Sequence, residues 1–309
     1  MKNKLIGGLV VALIFACPFF FIGGPSAVSP LFFNHLWNLG HIIFFSGVTL
    51  LALQFFTLRS WRAWLSVSAG VFCVGVCIEF LQHFVGRDSS WDDIFHNLCG
   101  VWLALFWGQK LAVSRGMVLC LRVFSILLVM PSFWFTVSAA YTDLRMRLQF
   151  PLINSFERDY EINQVIGFQL QSARKQVNNY ASHGHFSLAV QFGTAKYSVV
   201  KWVSPYGDWS QYHYFAMDIY NAESQAFELT LKIADFQHDL GRNAVEDRFN
   251  RRITIAPGWS FVQIPIDEIR NAPANRVMRM DEISCLELIS ISLDRPRLIY
   301  IDNLRLEKN

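Results

Sequence analysis

The sequence predicts a multi-domain protein, an all-α transmembrane bundle of five helices followed by an all-β jelly-roll sandwich. Three observations carry this reading. The 309 residues are 53% hydrophobic and only 17% charged, a balance typical of membrane proteins. Charge is unevenly spread: 8 Lys or Arg and 4 Asp or Glu stand before Tyr141, and 19 and 20 follow from there. The hydrophobic pattern changes near the same place, from continuous apolar runs to short alternating ones. The net charge of +3 gives no argument for a nucleic-acid partner.

In the apolar half, Lys2 and Lys4 precede a run over residues 5–22 that ends at Gly23, Gly24 and Pro25. Charged start, apolar middle and small residues beyond describe a signal peptide as well as a first membrane helix. The run nearly reaches the ~20 residues a span needs, and more spans follow, so a retained helix is expected. Further spans are expected over residues 39–56, 65–84, 94–113 and 117–137. Lys and Arg of short connections stay on the cytoplasmic side. Lys2 and Lys4, Arg59 and Arg62, and Lys110 and Arg115 alternate accordingly. The amino terminus is therefore expected inside and the carboxyl half outside. Arg122 falls within the fifth span, where a long side chain one turn in can snorkel to the surface. Five of the six cysteines lie in this half; Cys285 is alone in the other, which cannot close an internal disulfide.

Residues 141–152 read as a connector, polar and ending near Pro151, and residues 153–309 as the sandwich. Strands are expected over 186–192, 212–220, 227–235, 251–256, 261–266, 285–293 and 298–306, where apolar residues recur at every second position between Gly, Pro, Asn and Asp. Seven such strands suit an antiparallel jelly roll.

Ionisable side chains inside apolar spans are costly and usually functional. Glu79, Gln82 and His83 share one helical face, and Asp93, His96, Asn97 and Gly100 roughly share another. At 1.5 Å per residue, Glu79 and Asn97 each lie roughly 6 to 8 Å below the outer ends of their helices. His41 enters at the same level, with Arg87 in the loop above. The spaced set His41, Glu79, Gln82, Arg87, Asp93, Asn97 and Gly100, with Ser89 and Ser90 in the loop, resembles the VanZ-like family of bacterial membrane proteins over residues 36–108. The Asp-Lys pair that often precedes the His in that family is Trp37 and Asn38 here. The resemblance implies a bacterial inner-membrane protein with a periplasmic carboxyl-terminal domain, and an association with the cell envelope and glycopeptide resistance, but no chemistry.

Three readings of this cluster compete. Its members can fasten helices to one another, each bond contributing on the order of 0.5 to 2 kcal/mol. They can line a pocket for a lipid-linked or headgroup ligand, with His41, Gln82, Arg87 and Asn97 as binding residues. Or they can catalyse, with Glu79 and Asp93 as base and acid, or through a metal on His41, His83 and His96 with a carboxylate.

The carboxyl half resembles the galactose-binding-like jelly rolls used as carbohydrate-binding modules. The stretches concerned are residues 155–157, 208–224, the LKIAD ending at Asp235, 257–266 and 300–306. Related jelly rolls often hold a structural calcium, and Glu157 and Asp302 are the residues the resemblance places for it. Among the aromatics, Trp209 and Trp259 are expected in the core. Trp202 and Tyr206, in the KWVSPYGD loop, are expected exposed, as a platform for sugar rings. His183 and His185 read as solvated loop residues. Together these features suggest recognition of a glycan or lipid-linked envelope component. A membrane enzyme using Glu79 and Asp93, or a scaffold whose jelly roll binds another protein, are the alternatives.

Overall fold

A computed structural model of the protein describes residues 2–20, 24, 31–84, 90–171, 175–203, 205, 207–241 and 243–308. The chain divides into two compact units, Met1–Tyr141 and Thr142–Asn309.

Five long helices open the chain: α1 (Lys2–Ala16), continued by a 3-10 turn at Cys17–Phe20, α2 (Leu31–Ala52), α3 (Trp61–Phe84), α4 (Trp91–Trp107) and α5 (Arg115–Gln149). Among the described residues, three are long and apolar enough to cross a membrane: α2, the stretch Trp61–Gln82 of α3, and α5. The apolar stretch Ile6–Phe19 and the 17 residues of α4 are shorter, so the expected five spans reduce to three that meet the length. The fifth helix also overruns the expected connector. Nothing between residues 138 and 149 breaks a helix, and Asp143 and Arg147, one turn apart, pair at 2.8 Å. The helix stops just before Pro151, which disfavours helical geometry in the residue ahead of it.

Helix α4 is fastened at both ends. Ser90 caps its amino end by accepting from Asp92 N–H at 3.2 Å, and Asp92 and Asp93 lie where the helix dipole favours negative charge. At the other end Arg122 donates from Nε to the Phe106 carbonyl at 3.0 Å and lies 4.9 Å over the Trp107 ring. Arg122 therefore closes the negative end of α4 through a carbonyl and a cation–π contact. Beyond that end, Gln109 bonds the Leu58 backbone in both directions, and Trp64 Nε1 donates to the Leu58 carbonyl at 2.7 Å.

Helices α2 and α4 meet at Gly100. A Cβ there would stand 2.4 Å from the Ile42 carbonyl oxygen and 3.0 Å from Ser46 N, so only hydrogen fits. Ser46 Oγ donates to the Gly100 carbonyl at 2.9 Å, a small-residue helix contact reinforced by a hydroxyl. Phe45, Val101, Leu105 and Phe106 form the apolar cluster alongside.

The second unit is an antiparallel sandwich of eleven strands among the described residues. They are β1 (Leu152–Asn154), β2 (Val165–Phe168), β3 (Lys175–Val177), β4 (Ser187–Phe192), β5 (Ser198–Val203), β6 (Tyr214–Asn221), β7 (Phe227–Asp235), β8 (Phe249–Ile255), β9 (Gly258–Pro265), β10 (Ile283–Ser290) and β11 (Arg297–Glu307). One sheet runs β3-β4-β11-β6-β9, with β1 also pairing β11; the other runs β2-β5-β10-β7-β8. The core between them takes alternate residues of each strand: Leu188, Val190 and Phe192 from β4, Phe215, Met217 and Ile219 from β6, Leu229, Leu231 and Ile233 from β7. Alternation along a strand forces the intervening side chains onto the outer faces. On the five-stranded sheet one outward row is Lys201, Glu287 and Lys232, with the carboxylate 3.5 and 3.3 Å from the two ammonium groups.

All seven expected strands are present, and β1, β2, β3 and β5 are added. Strand β5 corrects the expectation for Trp202. Its residues alternate between buried and half-buried, and pairing with both β10 and β2 makes it an interior strand. Trp202 therefore points into the core at 2% exposure, out of reach of a sugar ring. Trp209 is fully buried, as expected of a core residue.

The Gly100 contact leaves a measurable mark. Gly100→Ala forces α2 and α4 apart, and overpacking of this kind typically costs about 1 to 3 kcal/mol. The variant should lose helical signal at a lower temperature than the wild type. An unchanged midpoint would mean that α2 moves aside freely.

Candidate functional site

In the helical unit, the backbone approach at Gly100 brings His41 beside α4. His41 Nδ1 lies 2.8 Å from Asn97 Oδ1 and its Nε2 lies 3.4 Å from Asp93 Oδ2, with all three residues buried. From α3, Gly75 admits Asn97 Nδ2 to within 3.4 Å of where a Cβ would stand. Glu79 Oε2 accepts the Ser90 backbone N–H at 2.7 Å, holding the amino end of α4 against α3, and Gln82 is fully buried. The structure thus gathers His41, Asp93 and Asn97 into one buried polar group, with His41 hydrogen-bonded to Asn97 and in contact with Asp93, and places Glu79 one step away on the Ser90 cap. A cavity of 260 Å³ opens beside Glu79 and Ser90, walled by Val76, Phe80, Trp91 and Ile94. Arg87 and Ser89 lie outside the described residues, as does the side chain of His83.

His96 departs from the metal reading. Its Nδ1 is 2.6 Å from the Asp92 carbonyl oxygen and its Nε2 is 3.0 Å from Ser132 Oγ on α5, so the ring faces α5. No group of three His, Cys, Asp or Glu side chains able to hold a metal occurs among the described residues.

On the sandwich, the outward face of the six-stranded sheet gathers aromatics. Tyr300 on β11 stands opposite Tyr220 on β6, which stands opposite Trp259 on β9. Tyr180 lies flat on Tyr220, with ring centroids 3.9 Å apart and planes 10° from parallel. Trp259 and Phe261 lie side by side on β9, 6.0 Å apart and within 10° of parallel, 37% and 72% exposed. This corrects the expectation of a core position for Trp259. In β9 it is Ile264 and Val262 that join the core, so Trp259, Phe261 and Gln263 take the opposite face.

Beside the aromatics lie polar groups arranged by an irregularity in β11. Between Asp302 and Arg305 the register with β6 shifts, and Asn303 adopts φ 55°. A bulge of this kind re-aims side chains. Asn303 Nδ2 and Arg305 Nη1 reach Asp218 at 3.0 and 3.3 Å. Arg305 Nη2 also pairs with Glu307 at 2.7 Å, and Gln263 donates to Glu307 at 2.8 Å.

The two acids expected to hold calcium fasten a loop instead. Asp302 Oδ2 accepts the backbone N–H groups of Ser182 and His183 at 2.7 and 2.8 Å, and its Oδ1 accepts that of Asn303 at 2.7 Å. Glu157 Oε1 accepts those of His185 and Phe186, both at 2.7 Å. Gly184 sits between at φ +69°, and a Cβ on it would strike the Glu157 carboxyl at 2.4 Å. A calcium ion needs six to eight oxygen ligands; these oxygens face N–H donors, a set that does not fit one. His183 and His185 belong to this same loop. Tyr206 lies outside the described residues.

Sequence reasoning overlooked Tyr180, Tyr220, Tyr300, Phe261 and Arg305. Three of them were findable, since Tyr220, Tyr300 and Phe261 sit at the outward phase of alternating segments, whereas Arg305 shares the phase of the core residues Ile299 and Ile301 and faces outward only because of the register shift before it. Tyr180 lies in an irregular stretch with no such pattern.

No family model matches the chain, and no curated protein matches it. Solved structures do resemble it over about half its length. A family 11 carbohydrate-binding module from Clostridium thermocellum, in complex with a β-1,3-1,4-mixed-linked tetrasaccharide, is 19% identical, with a TM-score of 0.40, over 50% of this chain and 94% of its own. A family 30 module of a Clostridium thermocellum cellulase is 14% identical over 47% and 92%, with a TM-score of 0.34. An exo-β-agarase is 14% identical over 51% of this chain and 25% of its own, with a TM-score of 0.38. These likenesses concern the sandwich and say nothing of its ligand. None of them supports the VanZ-like resemblance of the helical half.

Burial pushes the Asp302 carboxyl up to about 6, against the pull of the His183, Ser182 and Asn303 N–H groups. An unfolded Asp titrates near ~3.9, so the folded state binds this proton more tightly. The stabilising contribution is fully present below about pH 4 and is lost as pH rises through about 6. Asp302→Asn should flatten that part of the pH dependence of the sandwich's thermal midpoint. Parallel profiles for variant and wild type would refute the assignment.

Proposed function

We propose that the protein is an integral membrane protein of the bacterial envelope whose sandwich binds a glycan on the outward face of the six-stranded sheet. The observation that carries this is the exposed pair Trp259 and Phe261, continuing through Tyr220 to Tyr300 and Tyr180. The C–H face of a sugar ring is apolar and stacks on flat aromatic surface, while its hydroxyls need donors and acceptors at the margin. Gln263, Arg305 and Glu307 supply them, on the same face as the rings. An exposed aromatic row on a soluble domain otherwise works against solubility, which supports a recognition role.

The membrane part of the proposal rests on α2, α3 and α5, whose length and apolar character suit crossing. In this reading α1 and α4 complete five crossings, the Lys and Arg of the short connections face the cytoplasm, and the sandwich lies in the periplasm. The VanZ-like set His41, Glu79, Gln82, Asp93, Asn97 and Gly100 then serves as fastening between α2, α3 and α4. The glycan belongs to an envelope polymer or a lipid-linked precursor, the two sources available on that side.

Titration calorimetry of the full chain in detergent micelles against soluble envelope glycans and β-glucans tests the proposal. At least one should bind, and Trp259→Ala and Phe261→Ala should each weaken it about tenfold or more, a loss of ~1.4 kcal/mol. Binding that both variants retain in full, or no binding to any glycan, would overturn it.

A further inference from the structure

The helical unit holds a second polar group, separate from the buried His41 knot. A crevice of 350 Å³ lies between α2, α4 and α5, and His35, Asn38, Asp92, His96 and Ser132 contribute its polar wall. The geometry at its centre is directional. The Asp92 carbonyl can only accept, so at 2.6 Å the proton of His96 sits on Nδ1. In the neutral ring Nε2 is then an acceptor, and the Ser132 hydroxyl 3.0 Å away donates to it. A hydroxyl aimed at a basic nitrogen, with that ring held by a third group, is the arrangement that activates a serine nucleophile.

We propose that Ser132 and His96 form a nucleophile–base pair for acyl transfer, acting on an ester with an apolar acyl chain. This inference is independent of glycan binding by the sandwich. The rest of the crevice fits such a substrate. Its wall includes Phe95, Leu127 and Phe135, whose side chains are also exposed at the surface of the unit, so an acyl chain can enter from the side. Pro131, directly before the serine, lacks the N–H that would bond the Leu127 carbonyl. That carbonyl belongs to another residue of the crevice wall. Thr136 Oγ1 lies 2.8 Å from the Ser132 carbonyl oxygen and 3.1 Å from that of His35, so its single proton is shared between the backbone of the serine and α2 on the other side of the crevice.

In the reaction, Ser132 Oγ adds to the ester carbonyl carbon while its proton passes to His96 Nε2. The Asn38 side-chain amide is the neutral donor on the wall for the resulting oxyanion. Collapse breaks the bond to the alcohol oxygen, which takes the proton from His96. Water then adds to the acyl-serine, giving its proton to His96, and the acid leaves as that proton returns to Ser132 Oγ. Atoms and protons balance with water as the only co-substrate.

An alkyl fluorophosphonate, which phosphonylates activated serines, tests the pair on the full chain in detergent micelles. Peptide mass spectrometry should place the adduct on Ser132 of the wild type and find none there in Ser132→Ala. His96→Gln should slow labelling by about 100-fold or more, as expected for loss of a general base. Size-exclusion profile and helical signal identify folded variants, and the wild-type measurement needs no variant at all. Folded wild type without an adduct on Ser132, or His96→Gln labelled at the wild-type rate, would overturn the proposal.

Discussion

The close approach of α2 and α4 at Gly100 is the contact on which the helical unit depends. With no Cβ between them, the Ile42 carbonyl and the Ser46 amide come against the α4 backbone, and His41 is carried level with Asn97 and Asp93. A polar side chain buried between helices needs a partner within reach, because burial removes the water that would otherwise serve. Helix–helix distance is therefore the quantity that decides whether His41 can be buried at all. Gly100 sets that distance.

The same contact decides what α4 does with its remaining faces. Asp93, Asn97 and Gly100 are spaced four and three apart and face α2. Asp92 and His96 are each one residue back, turned by roughly 100°, and His96 meets Ser132 on α5. One short helix thus spends one stripe on fastening and offers the next to a crevice. Its ends are closed by groups from elsewhere, Glu79 on the Ser90 amide and Arg122 on the Phe106 carbonyl. Those bonds satisfy terminal groups that an isolated helix of this length would leave open.

Much of this was legible in the sequence. Alternation located seven strands, and β7 matched to the residue, because half-buried strands in a sandwich must alternate. Helical spacing brought Asp93, Asn97 and Gly100 to one face. What escaped has physical causes. Strand β5 was hidden because its short SVVKWV pattern runs into Pro205 and Gly207, so Trp202 read as loop. The phase of β9 was misjudged at Trp259, since a bulky aromatic at a strand start suits either face and only pairing with β6 decides. His96 was grouped with the wrong partners because three-residue spacing approximates a shared face, and a neighbouring helix pulls such a residue one way or the other. Ser132 carries no signal in a chain, since serine is ordinary in apolar helices.

On the sandwich, the loop that Asp302 and Glu157 fasten also shapes the aromatic face. Tyr180 stands at φ 48°, a left-handed backbone that a bulky residue adopts at a cost of order 1 to 3 kcal/mol. Its ring lies flat on Tyr220, and the Ser182 hydroxyl donates to Asp218 at 2.7 Å. Stacking and loop anchoring offset the strain. They also occupy one face of Tyr220, the position a sugar ring would otherwise take in the middle of the sheet. The open aromatic surface is thereby shifted to the edge strand β9, where Trp259 and Phe261 have no ring stacked above them in the described residues. A chain-like ligand would then run along β9, with rings beneath it and Gln263 at its margin. The acids that looked like metal ligands would set its path without touching it.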